Sequence, residues 1–222
     1  MIDPKLIKLT KHQMNSNWDF GNNLLYDMCK NNFQHEKDEI IITKVLFIGR
    51  IYAAAIERRK NKGKTNINND NFYIKIVAPT IRLSKIDEQL TILKSIKRIT
   101  AENLHQILKV HYYLMKTISK ITDLEKRSFC SKYLHFHLPE LFFIYDSRAS
   151  NALKTFIAKV PIDLHHILKL KNIDHEYAKY FCKCFDLKSK LEQQHKTKLT
   201  NREFDNILIQ ISNNKTYYQR KR

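Results

Sequence analysis

The sequence predicts a mostly α-helical fold, and three observations support this prediction. The 222 residues include only three glycines and four prolines, which is too few for the many tight turns of a β-rich protein. Apolar residues recur three and four positions apart along several segments, as they do on the buried face of a helix. Hydrophobic residues make up 43% of the chain, enough to build a folded core.

The apolar spacing places the helices in order along the chain. Ile41, Val45 and Ile48 share one face of a helix that we expect to end near residues 58–60. Further helices are predicted at residues 90–96, 104–108, 112–121, 127–137, 177–191 and 204–211. The predicted N-caps are Thr100, Asp146, Asp174 and Thr200. Residues 72–78, which stop at Pro79, are the best strand candidate, so we expect at most a minor strand there.

We expect one helical domain over residues 1–222, because no repeat and no long linker divides the chain. A division into two lobes, 1–99 and 100–222, stays open. No run of 18 apolar residues occurs, and residues 1–10 lack the apolar stretch of a signal peptide. The sequence therefore predicts a cytoplasmic protein that does not bind a membrane, and we expect a monomer.

Cofactor sites are not expected. The three glycines form neither a Walker A motif nor a dinucleotide fingerprint. The spacing of the four cysteines differs from a disulfide framework and from the paired ligands of a zinc site, so we expect reduced thiols and no metal. These cysteines are Cys29, Cys130, Cys182 and Cys184.

The formal net charge is +18, and an excess of this size usually has a polyanionic partner. The positive charge is concentrated in residues 50–65, 109–132 and 188–222. Each of these runs alone is typical of a solvated helix face, but together they predict an extended surface that binds phosphates. Nucleic acid is therefore the expected partner, with a lipid surface as the weaker alternative.

Residues 127–153 hold the densest set of reactive side chains. On the predicted helix 127–137, Ser128, Lys132 and His135 share one face because they are four and three positions apart. The opposite face is apolar and consists of Phe129, Tyr133 and Phe136. A short extended run at 141–145 follows, and Asp146 then opens the next helix as its N-cap.

This segment resembles the helix-hairpin-helix DNA glycosylases, in particular their 8-oxoguanine glycosylase-like branch. In that family a Ser/Thr-Lys-x-Leu-x-Phe helix leads into Ile/Leu-x-Asp-x-Arg at the start of the next helix. The matching positions are Ser131, Lys132, Leu134, Phe136, Ile144, Asp146 and Arg148. The resemblance implies a compact helical glycosylase-like fold with two lobes around a DNA-binding cleft. It also implies that Lys132 is the amine nucleophile and that Asp146 is the carboxylate that assists departure of the base.

The chemistry of base removal needs these residue types. Breaking an N-glycosidic bond builds positive charge on the sugar, which a nearby carboxylate stabilises. An attacking amine must be neutral, so we expect burial or the neighbouring cations Lys126 and Arg127 to lower the pKa of Lys132. A base in duplex DNA must also be flipped out to be reached. The candidate pocket residues for this base are Tyr133, His135, His137 and Tyr145.

The family's hairpin turn carries a Gly-x-Gly whose backbone binds a DNA phosphate, and this chain has no glycine at the matching place. We therefore expect side chains to contact the phosphates instead. The candidate DNA-binding residues are Lys126, Arg127, Arg148, Arg58 and Arg59.

Other interpretations stay open. Asp146 could be an N-cap alone, Lys132 a phosphate-contacting lysine, and the two histidines of the segment core residues; the protein would then be a non-catalytic basic DNA- or RNA-binding protein. A helical ribonuclease toxin of the Arg-x4-His kind is disfavoured, because no arginine has a histidine five positions on. For a glycosylase, the open roles are DNA repair and defence against phage DNA that carries modified bases.

Overall fold

A computed structural model describes residues 17–58 and 68–219, and none of these residues forms a β-strand. The prediction of a mostly helical fold is confirmed. The α-helices are α1 (Asn17–Asn31), α2 (Asp38–Ile51), α3 (Asn69–Phe72), α4 (Ala78–Arg82), α5 (Ile86–Lys94), α6 (Leu104–Thr122), α7 (Arg127–His137), α8 (Ser147–Lys154), α9 (His175–His195) and α10 (Asn201–Gln219). A π-helix (Tyr73–Val77) joins α3 to α4, and a 3-10 helix (Ile162–Lys169) precedes α9.

Helix α7 lies at the centre of the molecule. Its residues from Phe129 to His137 are all buried, because α1, α2 and α6 all pack against it. A helix that is buried on every side normally consists of apolar residues. Here Ser131, Lys132 and His135 are buried as well, so the polar groups of α7 must find partners inside the protein.

The strand predicted at residues 72–78 is wrong. These residues lie in one continuous helical segment that runs from α3 through the π-helix into α4. Phe72, Val77 and Ile81 are buried at helical spacing, and Pro79 lies at the start of α4, just after the π-helix. The aromatic and β-branched composition suggested a strand, but no described strand lies beside the segment to pair with it.

Two predicted helix boundaries also need correction. Helix α2 ends at Ile51, since Ala53 adopts a positive φ of 51° that breaks the helix, although Ile56 beyond it is still buried. Helix α6 begins after Asn103 instead of at Thr100. The side chain of Asn103 turns back and accepts a hydrogen bond from the Thr100 N–H at 2.9 Å.

One hydrophobic core includes residues from both halves of the chain, from Leu25 in α1 to Leu208 in α10. All four cysteines are buried within it as free thiols. Among residues 17–58 and 68–219, no helix has the length and apolar character needed to cross a bilayer.

Candidate active site

The amine of Lys132 lies inside the protein. The residue is 4% exposed, and its Nζ donates a hydrogen bond of 2.7 Å to Ser128 Oγ, one helical turn earlier on α7. The predicted shared face of these two residues is therefore confirmed. His135 points elsewhere, since its ring hydrogen-bonds to Phe142 and Tyr26.

Asp146 is the N-cap of α8, as predicted. Its Oδ1 accepts a hydrogen bond from the Arg148 N–H at 2.8 Å, and its Oδ2 lies 3.9 Å from Lys132 Nζ. The fold therefore brings the two residues that the sequence singled out into an ion pair. The Asp146 side chain is 27% exposed and that of Lys132 is 5% exposed, so the carboxylate lies on the solvent side of the amine.

Four side chains hold the extended run at 141–145 in place and thereby fix the position of Asp146. The Ser131 Oγ accepts from the Tyr145 N–H at 2.9 Å. His135 Nδ1 donates to Phe142 O at 2.8 Å. From α9, Tyr177 donates to Phe143 O at 2.8 Å and Tyr180 to Ile144 O at 2.7 Å. The extended run has no strand partner among the described residues, so these bonds satisfy backbone groups that burial would otherwise leave unpaired.

Burial lowers the pKa of Lys132, and the cations Arg148 and Arg202 lower it further. Asp146 and Asp205 act in the opposite direction and favour the charged amine. The direction of this shift and its largest cause, burial, match the prediction. The cations that contribute are Arg148 and Arg202, not the expected Lys126 and Arg127.

Two residues of the cluster were missed by the sequence analysis, and both lie on α10. Arg202 NH1 donates to Asp205 Oδ2 at 3.0 Å. Burial raises the pKa of Asp205 to about 6, with Arg202 opposing the shift. A signal was present in the sequence: Asp205 follows Phe204 and precedes Leu208 by three positions, so it falls on the inward face of the helix. A carboxyl group at an inward position is rare unless it has a partner.

Three of the four candidate pocket residues belong to the core in this structure. Tyr133, His135 and His137 are 0%, 0% and 6% exposed, respectively, and their polar atoms are engaged within the protein. Burial lowers the pKa of His135 to about 3 and places that of His137 well below its ordinary value. Tyr145 is half-buried, with its ring 5.1 Å from that of Tyr180.

The two α7 histidines are joined to two buried hydrogen-bonded networks. Buried Lys44 donates to His137 Nε2 at 3.1 Å and to the Asn32 carbonyl oxygen. Alongside it, His35 donates from Nδ1 to Asp87 at 2.5 Å and accepts from the Tyr133 hydroxyl at 2.7 Å. On the other side of α7, the Tyr26 hydroxyl donates to His135 Nε2 at 2.6 Å. These bonds explain how so polar a helix is tolerated in the interior.

The candidate DNA-binding residues occupy different environments. Lys126 donates to the carbonyl oxygens of Ala55 and Arg58 at 3.4 and 2.6 Å. Arg127 forms a two-pronged ion pair with Asp174, at 2.6 and 2.8 Å. Both cations therefore form bonds within the protein. The predicted role was that of side chains free to contact phosphates.

Arg58 and Arg148 are exposed. Arg148 lies in the first turn of α8, two residues after Asp146, where a phosphate could approach it together with the helix N-terminus. Arg59 lies outside the described residues.

Two clefts lie away from the Lys132–Asp146 pair. One of about 460 Å³ is lined by residues of 30–40 together with Thr91 and Lys94. Another of about 820 Å³ lies beside the Arg127–Asp174 ion pair. Neither of these clefts is lined by Lys132, Asp146 or Arg148.

A comparison of the chain with protein-family models, with curated proteins and with solved structures gave no match. A buried amine with a lowered pKa can act as a nucleophile. A carboxylate held beside it at a helix N-terminus can stabilise a positive charge that develops during the reaction.

Proposed function

We propose that the protein is a DNA N-glycosylase that removes a damaged or modified base and leaves an abasic site. Lys132 is the amine nucleophile and Asp146 the catalytic carboxylate. One observation carries the proposal: a lysine buried on a central helix lies 3.9 Å from a carboxylate that caps the next helix. The resemblance of residues 131–148 to the glycosylase segment supports the same pair of roles.

In the proposed reaction the neutral amine of Lys132 attacks C1′ of the deoxyribose. The bond between C1′ and the base nitrogen breaks, and its electron pair leaves with the base, which takes up a proton. The carboxylate of Asp146 stabilises the positive charge that builds on the sugar. The Lys132 nitrogen then loses a proton, the bond between C1′ and O4′ breaks with its electron pair going to O4′, and O4′ takes up that proton, which gives a Schiff base. Its hydrolysis leaves an abasic site, whereas elimination would cleave the strand.

Duplex DNA with a flipped target base is the proposed substrate, and the net charge of +18 supports it. We place the enzyme in the cytoplasm as a monomer without a cofactor. Both roles, DNA repair and defence against phage DNA with modified bases, belong to the proposal. A protein that binds phosphates in this way should lose affinity steeply as salt rises, and a flat response in a fluorescence anisotropy titration would contradict a DNA partner.

The test of the chemistry uses an abasic duplex, which offers its aldehyde to the amine whatever the natural base is. With borohydride present, we expect the wild-type protein to form a covalent adduct that survives denaturing electrophoresis. Lys132→Gln should abolish the adduct. The matched control is Lys154→Gln, which removes an equal charge from the exposed end of α8 and should leave trapping unchanged.

Base release is measured separately on duplexes that each carry one damaged or modified base. Asp146→Asn should bind these duplexes with unchanged affinity and lose base release by a factor of about 100 or more. If wild-type protein releases no base and forms no adduct with abasic DNA, the proposal fails. The non-catalytic DNA- or RNA-binding protein would then be the remaining interpretation.

A further inference from the structure

The hydroxyl group of Ser128 differs in its hydrogen bonding from those of three nearby residues on α6 and α7. Thr117, Thr122 and Ser131 each donate to a backbone carbonyl oxygen three or four residues earlier, which is the usual bond of such a side chain inside a helix. Ser128 is the second residue of α7, so the residues three and four positions before it precede the helix. Its hydroxyl group bonds to a side chain instead.

The partner of this hydroxyl group is the amine of Lys132. Lys132 Nζ donates to Ser128 Oγ at 2.7 Å, and within residues 17–58 and 68–219 this is the one hydrogen bond of the Ser128 Oγ. Asp146 Oδ2, at 3.9 Å, is too far from the amine for a hydrogen bond. When Lys132 is neutral, the bond can reverse, because the Ser128 O–H can donate to the lone pair of the amine. A serine and a neutral lysine at this distance form the arrangement of a nucleophile and its general base.

We propose that Ser128 is a second nucleophile of the site and that the protein also hydrolyses esters of carboxylic acids, with Lys132 as the general base. This activity goes beyond base removal, in which the Lys132 nitrogen itself attacks and Ser128 forms no bond. Both activities need Lys132 in its neutral form, but they use it differently: one as a nucleophile and the other as a proton acceptor.

In the first step of ester hydrolysis the Ser128 oxygen attacks the carbonyl carbon, and the proton of the hydroxyl group passes to the Lys132 nitrogen. The π electron pair of the carbonyl group moves to its oxygen, which gives a tetrahedral intermediate. As the carbonyl group re-forms, the bond from carbon to the alcohol oxygen breaks with its electron pair going to that oxygen, which takes the proton from Lys132. Water then attacks the acyl-serine in the same manner, giving the carboxylic acid and restoring Ser128.

The surroundings of the two residues suit this chemistry. Burial lowers the pKa of Lys132, which increases the neutral fraction of the amine. Ser128 is only half-buried, so part of the residue contacts solvent. The first turn of a helix leaves backbone N–H groups without an intrahelical acceptor, and the side chain of the N-cap residue Lys126 does not bond to those of α7. Such N–H groups can stabilise the negative charge on the carbonyl oxygen of the intermediate.

The neighbouring Ser131 does not offer the same arrangement. It is fully buried, and its hydroxyl group donates to the Ser128 carbonyl oxygen at 3.0 Å and accepts from the Tyr145 N–H at 2.9 Å. Both bonds hold backbone groups in place. Ser128 is therefore the serine whose hydroxyl group is paired with the amine.

A fluorophosphonate probe tests this pairing, because its phosphorus forms a covalent bond with an activated serine oxygen while fluoride leaves. We expect the wild-type protein to be labelled and mass spectrometry of its peptides to place the probe on Ser128. Ser128→Ala and Lys132→Gln should each lower the labelling rate by a factor of about 100 or more. The same two variants should lose the saturable hydrolysis of p-nitrophenyl acetate.

The matched control is Ser119→Ala on α6. Ser119 is also half-buried, but its hydroxyl group donates to the Lys116 carbonyl oxygen, so this variant should be labelled at the wild-type rate. A wild-type protein that takes up no probe, or takes it up on a residue other than Ser128, would overturn the inference. This peptide map is read from the wild type and does not depend on the folding of a variant.

The dependence of labelling on pH tests the role of Lys132. The labelling rate should rise with pH as the amine loses its proton, and the midpoint should lie below the ordinary lysine pKa of about 10.4, since burial lowers the pKa. A rate that is constant from about pH 5 to pH 10 would exclude Lys132 as the base.

The abasic duplex separates this inference from the proposed function. Ser128→Ala retains the Lys132 nitrogen and should still form the adduct that borohydride traps. If the probe labels Ser128 and the wild type forms no adduct with abasic DNA, the ester hydrolase stands and the glycosylase proposal fails. If the adduct forms and Ser128 is not labelled, the reverse holds.

Discussion

At the scale of single residues, Asp146 performs two tasks that substitution can separate. It caps α8 through its Oδ1 and lies 3.9 Å from Lys132 through its Oδ2. Asp146→Asn keeps a good capping side chain and removes the charge, whereas Asp146→Ala removes both.

We expect the free energy of unfolding of Asp146→Asn to lie within about 0.5 kcal/mol of the wild-type value. That of Asp146→Ala should be lower by about 1 kcal/mol, the usual contribution of an N-cap. Both variants should lose base release. Urea unfolding followed by circular dichroism gives the free energies. A normal rate of base release in Asp146→Asn would show that the residue is only an N-cap.

Single residues also show how far the sequence alone could go. Lys132 and Asp146 were predicted because residues 131–148 match the Ser-Lys-x-Leu-x-Phe and Ile-x-Asp-x-Arg patterns of the glycosylase segment, and Asp146 also precedes a helix. Their 3.9 Å contact was not predictable from spacing alone, because it depends on side chains from α7 and α9 that fix the run between them. Asp205 was missed although its inward position was readable from the sequence, because its electrostatic effect on Lys132 depends on α10 packing beside α8.

At the scale of elements, the starts of α9 and α10 differ in how strongly they are tied to the rest of the protein. Asp174 accepts from the Tyr177 N–H at 2.6 Å and also binds both prongs of Arg127. Thr200 and Glu203 form a reciprocal capping box at the start of α10, in which each side chain accepts from the other's N–H at 3.1 and 2.7 Å.

This difference predicts unequal costs for the same kind of substitution. Asp174→Ala should lower the free energy of unfolding by about 3 kcal/mol, since it leaves a partly buried arginine unpaired as well as uncapping α9. Thr200→Ala should cost about 1 kcal/mol. Asp174→Asn, which keeps the cap alone, should fall between them. The free energies of unfolding are measured by urea unfolding. Equal losses in the two alanine variants would mean that the ion pair of Asp174 with Arg127 contributes nothing to stability.

The elements were predicted well where one strong periodicity dominates, as in α7 and α9, and where a capping residue marks the start, as Asp174 does. The prediction failed at residues 72–78, where composition and periodicity disagreed. Aromatic and β-branched residues favour a strand only if another strand offers hydrogen bonds. Here the segment packs against α2 and α4 instead, and this packing favours a helix.

At the scale of the whole molecule, four buried histidines make stability depend on pH. His35, His111, His135 and His137 are all nearly or fully buried. Burial lowers the pKa of each, to about 4 for His111 and about 3 for His135. A histidine whose folded pKa is depressed binds its proton in the unfolded state first. Stability is therefore fully present above pH 6.5 and falls as the pH drops below that value.

His111 and His135 should each remove about 1.4 kcal/mol per pH unit between roughly pH 6 and pH 4. Asp205 opposes them, since its raised pKa lets the folded protein take up a proton first, but it is a single group. We expect the melting temperature to fall by more than about 10 °C between pH 6.5 and pH 4.5. Thermal unfolding followed by circular dichroism measures it.

His111→Phe should reduce the loss of stability per pH unit by about the 1.4 kcal/mol that one histidine contributes. Phenylalanine retains a ring that can stack on Tyr177, whose centroid lies 3.7 Å from that of His111, and it cannot titrate. The control His166→Phe alters an exposed ring and should leave the loss of stability per pH unit unchanged. A melting temperature that stays constant down to pH 4.5 would contradict the neutral, buried state of these histidines.

The last helix has a consequence for biosynthesis. A ribosome makes the chain from its N-terminus, so Lys132 and Asp146 exist more than fifty residues before Arg202 and Asp205 are added. Until translation has passed residue 205 and α10 has docked on α8, the nascent polypeptide carries the recognisable Lys–Asp segment without the groups that complete its electrostatic setting. The proposed site is thus completed last, and a fragment that ends before α10 would contain the motif and lack the finished site.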